Sequence, residues 1–111
     1  MNASDFPELP EPVRRAVAAA NARDTEAFLD QFTERGAVDD WGRRFEGREA
    51  VAGWSDREFI GVKVSLKVTG VTRYRDQVIV SAQVGGDGFN GPSDFAFTVD
   101  GDRIGLMRIT G

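Results

Sequence analysis

The sequence predicts an α+β fold: a mixed or antiparallel sheet curved over about three N-terminal helices. Three observations predict it. Apolar residues recur at helical spacing in the first part of the chain, at Val13, Ala16, Val17 and Ala20 and again at Phe28, Leu29 and Phe32. Later they alternate with polar ones, as Val62, Val64, Leu66 and Val68 do with Lys63, Ser65, Lys67 and Thr69. Helical segments come first and strands last, the order of α+β domains and not of alternating βαβ units. A chain of 111 residues suits one domain with one core. The expected boundaries are a loose, acidic, Pro-bearing lead-in over 1–9 and a single domain over 10–111.

Taken in order, Pro10 and Pro12 mark the start of the first helix, because a missing N–H costs nothing in a first turn. Asn21 to Asp24 breaks its apolar stripe. Asp24 or Thr25 can cap a second short helix by accepting from its free N–H groups, and Gly36 is expected to end that segment. Ala37 to Trp41 and Arg43 to Glu46 flank Gly42 and read as a tight turn with short arms. Gly47 precedes a third helix with Ala50, Val51 and Trp54 inward and Gly61 at its close. The alternation over 62–69 is the first long strand. Val78, Val80, Ala82 and Val84 alternate in the second, after a turn at Arg75 to Gln77. Phe95, Phe97 and Val99 alternate in the third, and Asp100-Gly101 turns the chain into the last, Arg103 to Thr110. The Gly-rich stretch from Gly85 to Pro92 is too long for a tight hairpin. It reads either as a loop at the rim of a hollow or as a plain connection.

Composition excludes several functions. The net charge of −4 argues against a nucleic-acid partner, which needs a basic surface to displace counterions. No apolar run reaches the length of a membrane span. Met1 to Pro12 has no apolar signal core, so the expected location is cytoplasmic. With no Cys and no His, the chain lacks thiolate nucleophiles, disulfides, Ser-His-Asp arrangements and the usual zinc and iron ligands. No Gly-rich phosphate loop follows a strand. No cofactor and no metal are expected, and proton chemistry falls to Asp, Glu, Lys, Arg and Tyr74.

Asp40 is the first candidate for such chemistry. Val38 should face inward on its short strand, and alternation then sends Asp40 inward and Asp39 outward. A carboxylate among apolar groups has its charged form disfavoured and can serve as a general base toward carbon beside a carbonyl. The structural alternative is that Asp40 accepts from the hairpin turn or pairs with Arg43 or Arg44. Phe28, Phe32, Trp41, Trp54 and Phe59 are the candidate ligand-binding residues, since apolar and aromatic side chains line most small-molecule sites; equally, they can be ordinary core. Arg43, Arg44, Arg57 and Lys63 can either clamp an anionic ligand or form a solvated face.

Three stretches resemble the nuclear transport factor 2-like (NTF2-like) superfamily, in its SnoaL-like branch. They are Asn21-Ala-Arg-Asp24 with Phe28 to Phe32; Ala37-Val-Asp-Asp-Trp-Gly42 leading to Phe45-Glu-Gly-Arg-Glu-Ala50; and Phe97 to Ile104, with Asp100-Gly101-Asp102-Arg103-Ile104 similar to the final turn. Their order and spacing span Pro10 to Thr110. The resemblance implies an open, cystatin-like cone that binds a small apolar molecule and a homodimer formed through the outer sheet face. It leaves an isomerase- or cyclase-type enzyme as one alternative and a dimerisation module with a filled cone as another. Ketosteroid isomerase, a member of this fold, pairs an Asp base with an oxyanion hole of Tyr and protonated Asp. By that resemblance Asp40 falls at the base and Asp94 at the oxyanion-binding Asp. Strand parity leaves Asp94 open: it points outward if Phe95 and Phe97 line the core, inward if they form a dimer face. The first helix carries Ala16 where the isomerase has its Tyr, and losing such a donor costs on the order of a hundredfold or more in rate.

Overall fold

The computed structural model describes Phe6 and residues 8–111. Three helices, α1 (Glu11–Asn21), α2 (Thr25–Leu29) and α3 (Arg48–Glu58), pack against a six-stranded mixed sheet. Its strands are β1 (Phe32–Asp40), β2 (Arg43–Glu46), β3 (Ser65–Tyr74), β4 (Gln77–Gly85), β5 (Gly91–Asp100) and β6 (Arg103–Thr110), in the order β2-β1-β6-β5-β4-β3. Every neighbouring pair is antiparallel except β1 and β6, which run parallel. Most of the lead-in expected over 1–9 lies outside the described residues, but Leu9 is buried in the core and Phe6 packs on it.

The helices form where local chemistry allows. Pro10 caps α1 and Pro12 sits in its first turn, while Val13, Ala16, Val17 and Ala20 are all buried. Asp24 caps α2 by accepting from the Ala27 N–H at 3.1 Å. Asn21, at the end of α1, accepts from the Leu66 N–H at 2.7 Å and donates to the Leu66 carbonyl at 3.0 Å, which pins the helix to edge strand β3.

Three expectations fail here. The first long strand, read from Val62, opens only at Ser65, because Ile60–Val62 forms a 3₁₀ turn and Lys63 takes a left-handed backbone. The second helix does not run to Gly36: it ends at Leu29, and Phe32 already opens β1. The Ile104 N–H donates to the Gln31 carbonyl at 2.7 Å, and Phe32 pairs with Ile104, so non-local pairing with β6 overrides the helical spacing of Phe28, Leu29 and Phe32. Gly36 instead lies in β1 at the register shift between Phe32 and Ala37, where a Cβ would press on Phe32 and the Thr33 and Ile104 carbonyls. In α3, Val51 and Trp54 are buried as expected, but Ala50 is exposed and Ser55 takes the third inward position.

The concave face of the sheet carries Val68, Val78, Val80, Ala82, Phe95, Phe97, Met107 and Val38, all buried. With α1, α2 and α3 laid over it, the layers enclose an interior closed at one end and open at the other.

Candidate functional site

The open end holds a cavity of about 170 Å³. One wall comes from β1. Val38 is fully buried, and period-two alternation turns Asp40 to the same side, at the cavity. Asp39 turns outward, where it accepts from the Gly42 N–H at 2.8 Å and faces Arg108 at 3.8 Å. Trp41 and Gly42 form the two-residue β1–β2 turn with φ of 54° and 90°, the double left-handed pattern of hairpins that follow strand twist. A tryptophan in that conformation is uncommon. It holds the ring at the cavity's mouth, 67% exposed.

The second wall comes from the end of α3 and the 3₁₀ turn Ile60–Val62, which bring Trp54, Glu58, Phe59 and Val62 to the cavity. Trp54 is buried and stacks on Phe59 at 4.8 Å between ring centroids. The sheet supplies Val64, Val84, Ser93, Phe95 and Ile109. The Gly-rich loop, residues 86–90, lies at the rim: the Asp87 N–H donates to the Val62 carbonyl at 2.8 Å, the Asn90 amide donates to the Gly86 and Gly88 carbonyls, and Phe89 is left 60% exposed over the opening.

The polar groups have an uneven arrangement. Asp40 Oδ2 accepts from Arg43 at 2.6 Å and from the Trp54 indole N–H at 3.1 Å. Asp40 Oδ1 has no partner among the described residues. Arg43 also grips Glu58 in a bidentate pair at 2.7 and 2.9 Å, the strong geometry for guanidinium and carboxylate. The hydrogen bond from Arg43 holds Glu58 below the usual carboxylate range, and the same bond raises Arg43 above its ordinary value. Ser93 is 6% exposed, lines the cavity, and its hydroxyl has no partner among the described residues.

Of the residues expected at a site, Asp40, Trp41, Trp54 and Phe59 come together here. Phe28 does not: it is buried at the closed end, with Phe97 and Met107. Phe32, as a strand residue, packs beside Leu29 and Val51 and faces a different surface hollow. Asp94 is corrected too. Phe95 and Phe97 are buried on the concave face, so parity sends Asp94 to the outer face, where it is exposed and accepts from the Ser81 hydroxyl at 2.8 Å. The same parity puts Ser93, which sequence reasoning passed over, at the cavity. The anion clamp also fails: Arg43 is taken up by Asp40 and Glu58, Arg44 by Glu46, and none of Arg43, Arg44, Arg57 or Lys63 lines the cavity. Tyr74 is exposed at the far end of β3, and Ala16 faces the closed end, so neither supplies an oxyanion donor. No group of three or more acidic side chains able to hold a metal occurs among the described residues.

No protein-family model matches the chain, and no curated protein matches it. Solved structures do. A Sinorhizobium meliloti protein provisionally assigned as a polyketide cyclase superposes with a TM-score of 0.82 at 24% identity, over 99% of this chain and 100% of that one. An NTF2-like protein of unknown function from Cytophaga hutchinsonii gives 0.77 at 13% identity, over 90% and 86%. A ketosteroid isomerase-like fold from Catenulispora acidiphila, in complex with trimethylamine, gives 0.76 at 26% identity, over 92% and 85%. The chain therefore has the NTF2-like fold, an α+β cone of the kind its sequence resembles. No helix among the described residues is long and apolar enough to cross a membrane.

Proposed function

We propose that residues 10–111 act as one binding domain that holds a small, largely apolar molecule in the open end of the cone, against Trp41, Trp54 and Phe59. The observation that carries this is the contrast in packing within one interior: about 170 Å³ stays open at the aromatic mouth, while about 10 Å³ remains at the other end. An apolar cavity of about 150 Å³ is enough to take up benzene, so the ligand, or the part of it that enters, is compact. The trimethylamine held by the Catenulispora protein supports a small occupant for this fold. Native mass spectrometry of freshly purified protein tests the reading. A retained low-mass compound that is lost in an Ile109→Trp variant, which fills the mouth, is the expected result. A protein that retains nothing, and whose Trp54 fluorescence no benzene-sized probe perturbs, overturns it.

One observation favours a second reading, an isomerase- or cyclase-type enzyme with Asp40 as general base: Oδ1 is uncommitted while Oδ2 is fixed by Arg43 and Trp54. A carboxylate held in orientation with one free oxygen is what proton abstraction needs. With Asp94 on the outer face, the Ser93 hydroxyl and the Trp41 indole N–H are neutral donors left at the cavity. Loss of turnover on an enolisable substrate in a folded Asp40→Asn variant is the expected result; unchanged turnover removes the base.

The homodimer implied by the resemblance is proposed on the outer face, where Ile79 pairs with Ala96 and Thr98 with Leu106, all half-buried. Sedimentation at high concentration should show a dimer that Ile79→Lys dissociates. A strictly monomeric wild type refutes it.

A further inference from the structure

The charge and ring content of the mouth says more about the occupant than its volume does. Trp41, Trp54, Phe59, Phe89 and Phe95 all border the cavity. Aromatic faces carry partial negative charge and attract cations placed over them, most strongly where water is excluded. The charged side chains at the cavity are Asp40 and Glu58, and among the described residues no Lys or Arg lines it. Arg43 contacts both carboxylates, so in direct ion pairs two negative charges share one positive charge. Arg57, one residue before Glu58, is exposed and does not line the cavity, and its charge acts on Glu58 more weakly than Arg43 does, so the negative charge facing the cavity is concentrated at Asp40. The lowered pKa of Glu58 keeps that carboxylate ionised near neutral pH.

Two acceptors are also left without partners. Asp40 Oδ1 is free beside an Oδ2 that already serves Arg43 and Trp54. The hydroxyl of Ser93, a residue 6% exposed, borders the same cavity without a hydrogen bond among the described residues. No described side chain has a fully buried N or O atom without a partner, so both of these unpaired atoms are accessible, to water or to a ligand. An ammonium N–H can donate to both a carboxylate and a hydroxyl oxygen, whereas a ligand carboxylate would face two acids with no cation turned toward it.

We propose that the occupant is a small organic cation, an ammonium group on a compact apolar or aromatic body, seated with its nitrogen at Asp40 Oδ1 and its body among the rings. This rests on the binding function proposed above and narrows it.

The experiment compares benzylamine, benzyl alcohol and benzoate, which share a ring and differ in charge. Each is titrated at pH 7 and low salt into ¹⁵N-labelled protein, with the Trp54 indole N–H as reporter because it donates to Asp40. Benzylamine should bind about tenfold tighter than benzyl alcohol, and benzoate weakest of the three. Asp40→Asn should lower benzylamine affinity about tenfold, to near the benzyl alcohol level, and change benzyl alcohol affinity far less. Arg43→Gln, which keeps Asp40 and exposes its full charge, should raise benzylamine affinity several-fold and serves where Asp40→Asn does not fold. Benzyl alcohol binding as tightly as benzylamine, or an Arg43→Gln variant with unchanged or weaker benzylamine binding, overturns the cation and leaves the cavity-binding function standing. Silence toward all three overturns both.

Discussion

The two ends of the cone share walls but not packing. Phe59 and Phe95 border both the filled end and the open one. Beyond them, Phe28, Phe97 and Met107 close against α1 until almost no space is left. On the near side the strands reach Asp40, Ser93 and Ile109, and among the described residues no helix beyond the end of α3 borders the gap; a turn with Trp41 and a loop with Phe89 stand there instead, both exposed. One sequence thus leaves almost no space at one end of its interior, as close-packed protein cores do, and about 170 Å³ open at the other. Stability should reside at the filled end and recognition at the open one, a separation mutations can break.

The largest expected effect is at the filled end. Phe97→Ala removes a side chain that is 2% exposed and should cost about 3–5 kcal/mol, the usual range for an aromatic deleted from a core. Phe89→Ala at the mouth should stay within about 0.5 kcal/mol, as exposed substitutions do. Urea denaturation of both variants measures the pair. Equal losses would show that the mouth is as structural as the core and would remove the contrast.

Next comes Gly61→Ala. Gly61 lies in the 3₁₀ turn after α3, and a Cβ there would run into the Asp56 carbonyl. That backbone cannot yield without moving the end of the helix that carries Glu58 and Phe59. Overpacking of this kind costs about 1–3 kcal/mol, and here the displacement falls on the cavity wall. Probe binding should fall by more than stability alone explains, read as weakened benzylamine binding at a temperature where the variant is fully folded.

How much of this was legible in the sequence depends on the range of the forces. Val13, Ala16, Val17 and Ala20 declared their helix because period and burial are local, and Asp40 declared its side because it is two residues from Val38. Phe32 misled for the same reason: its spacing from Phe28 and Leu29 fits a helix, and only the distant β6, through Ile104, makes it a strand residue. Asp94 stayed undecided until the buried side of Phe95 was known, and that answer also revealed Ser93. Glu58 carried no local sign, since its place at the mouth depends on where α3 stops and on Arg43 of another strand. Phe89 sat in a loop whose docking on Val62 no periodicity encodes.

The Trp54–Asp40 bond joins the two regions, because Trp54 is buried in the core cluster while its N–H reaches the mouth. Trp54→Phe keeps the stack on Phe59 and removes the donor. It should cost about 1 kcal/mol for the lost bond, plus a contribution for the smaller ring. It should also release Asp40 from its fixed orientation, weakening ammonium binding while leaving benzyl alcohol binding much less changed. A variant that loses stability but keeps its cation preference would make the bond structural only.

The smallest effect expected is the pH response of the Arg43–Glu58 pair. Glu58 titrates below its ordinary value of 4.5 because Arg43 hydrogen-bonds its charged form. A folded-state pKa below the unfolded one means that the stabilisation is complete above 4.5 and is lost as pH falls through the lower folded value. Glu58 is 36% exposed, so solvent and salt screen the pair strongly. The urea midpoints of wild type and Glu58→Gln should therefore differ slightly at pH 7 and converge on acidification, with added salt narrowing the gap at neutral pH. A gap that stays constant down to pH 3 would mean that Glu58 contributes through packing on the mouth and not through its charge, which would also remove it from the negative potential invoked for the ligand.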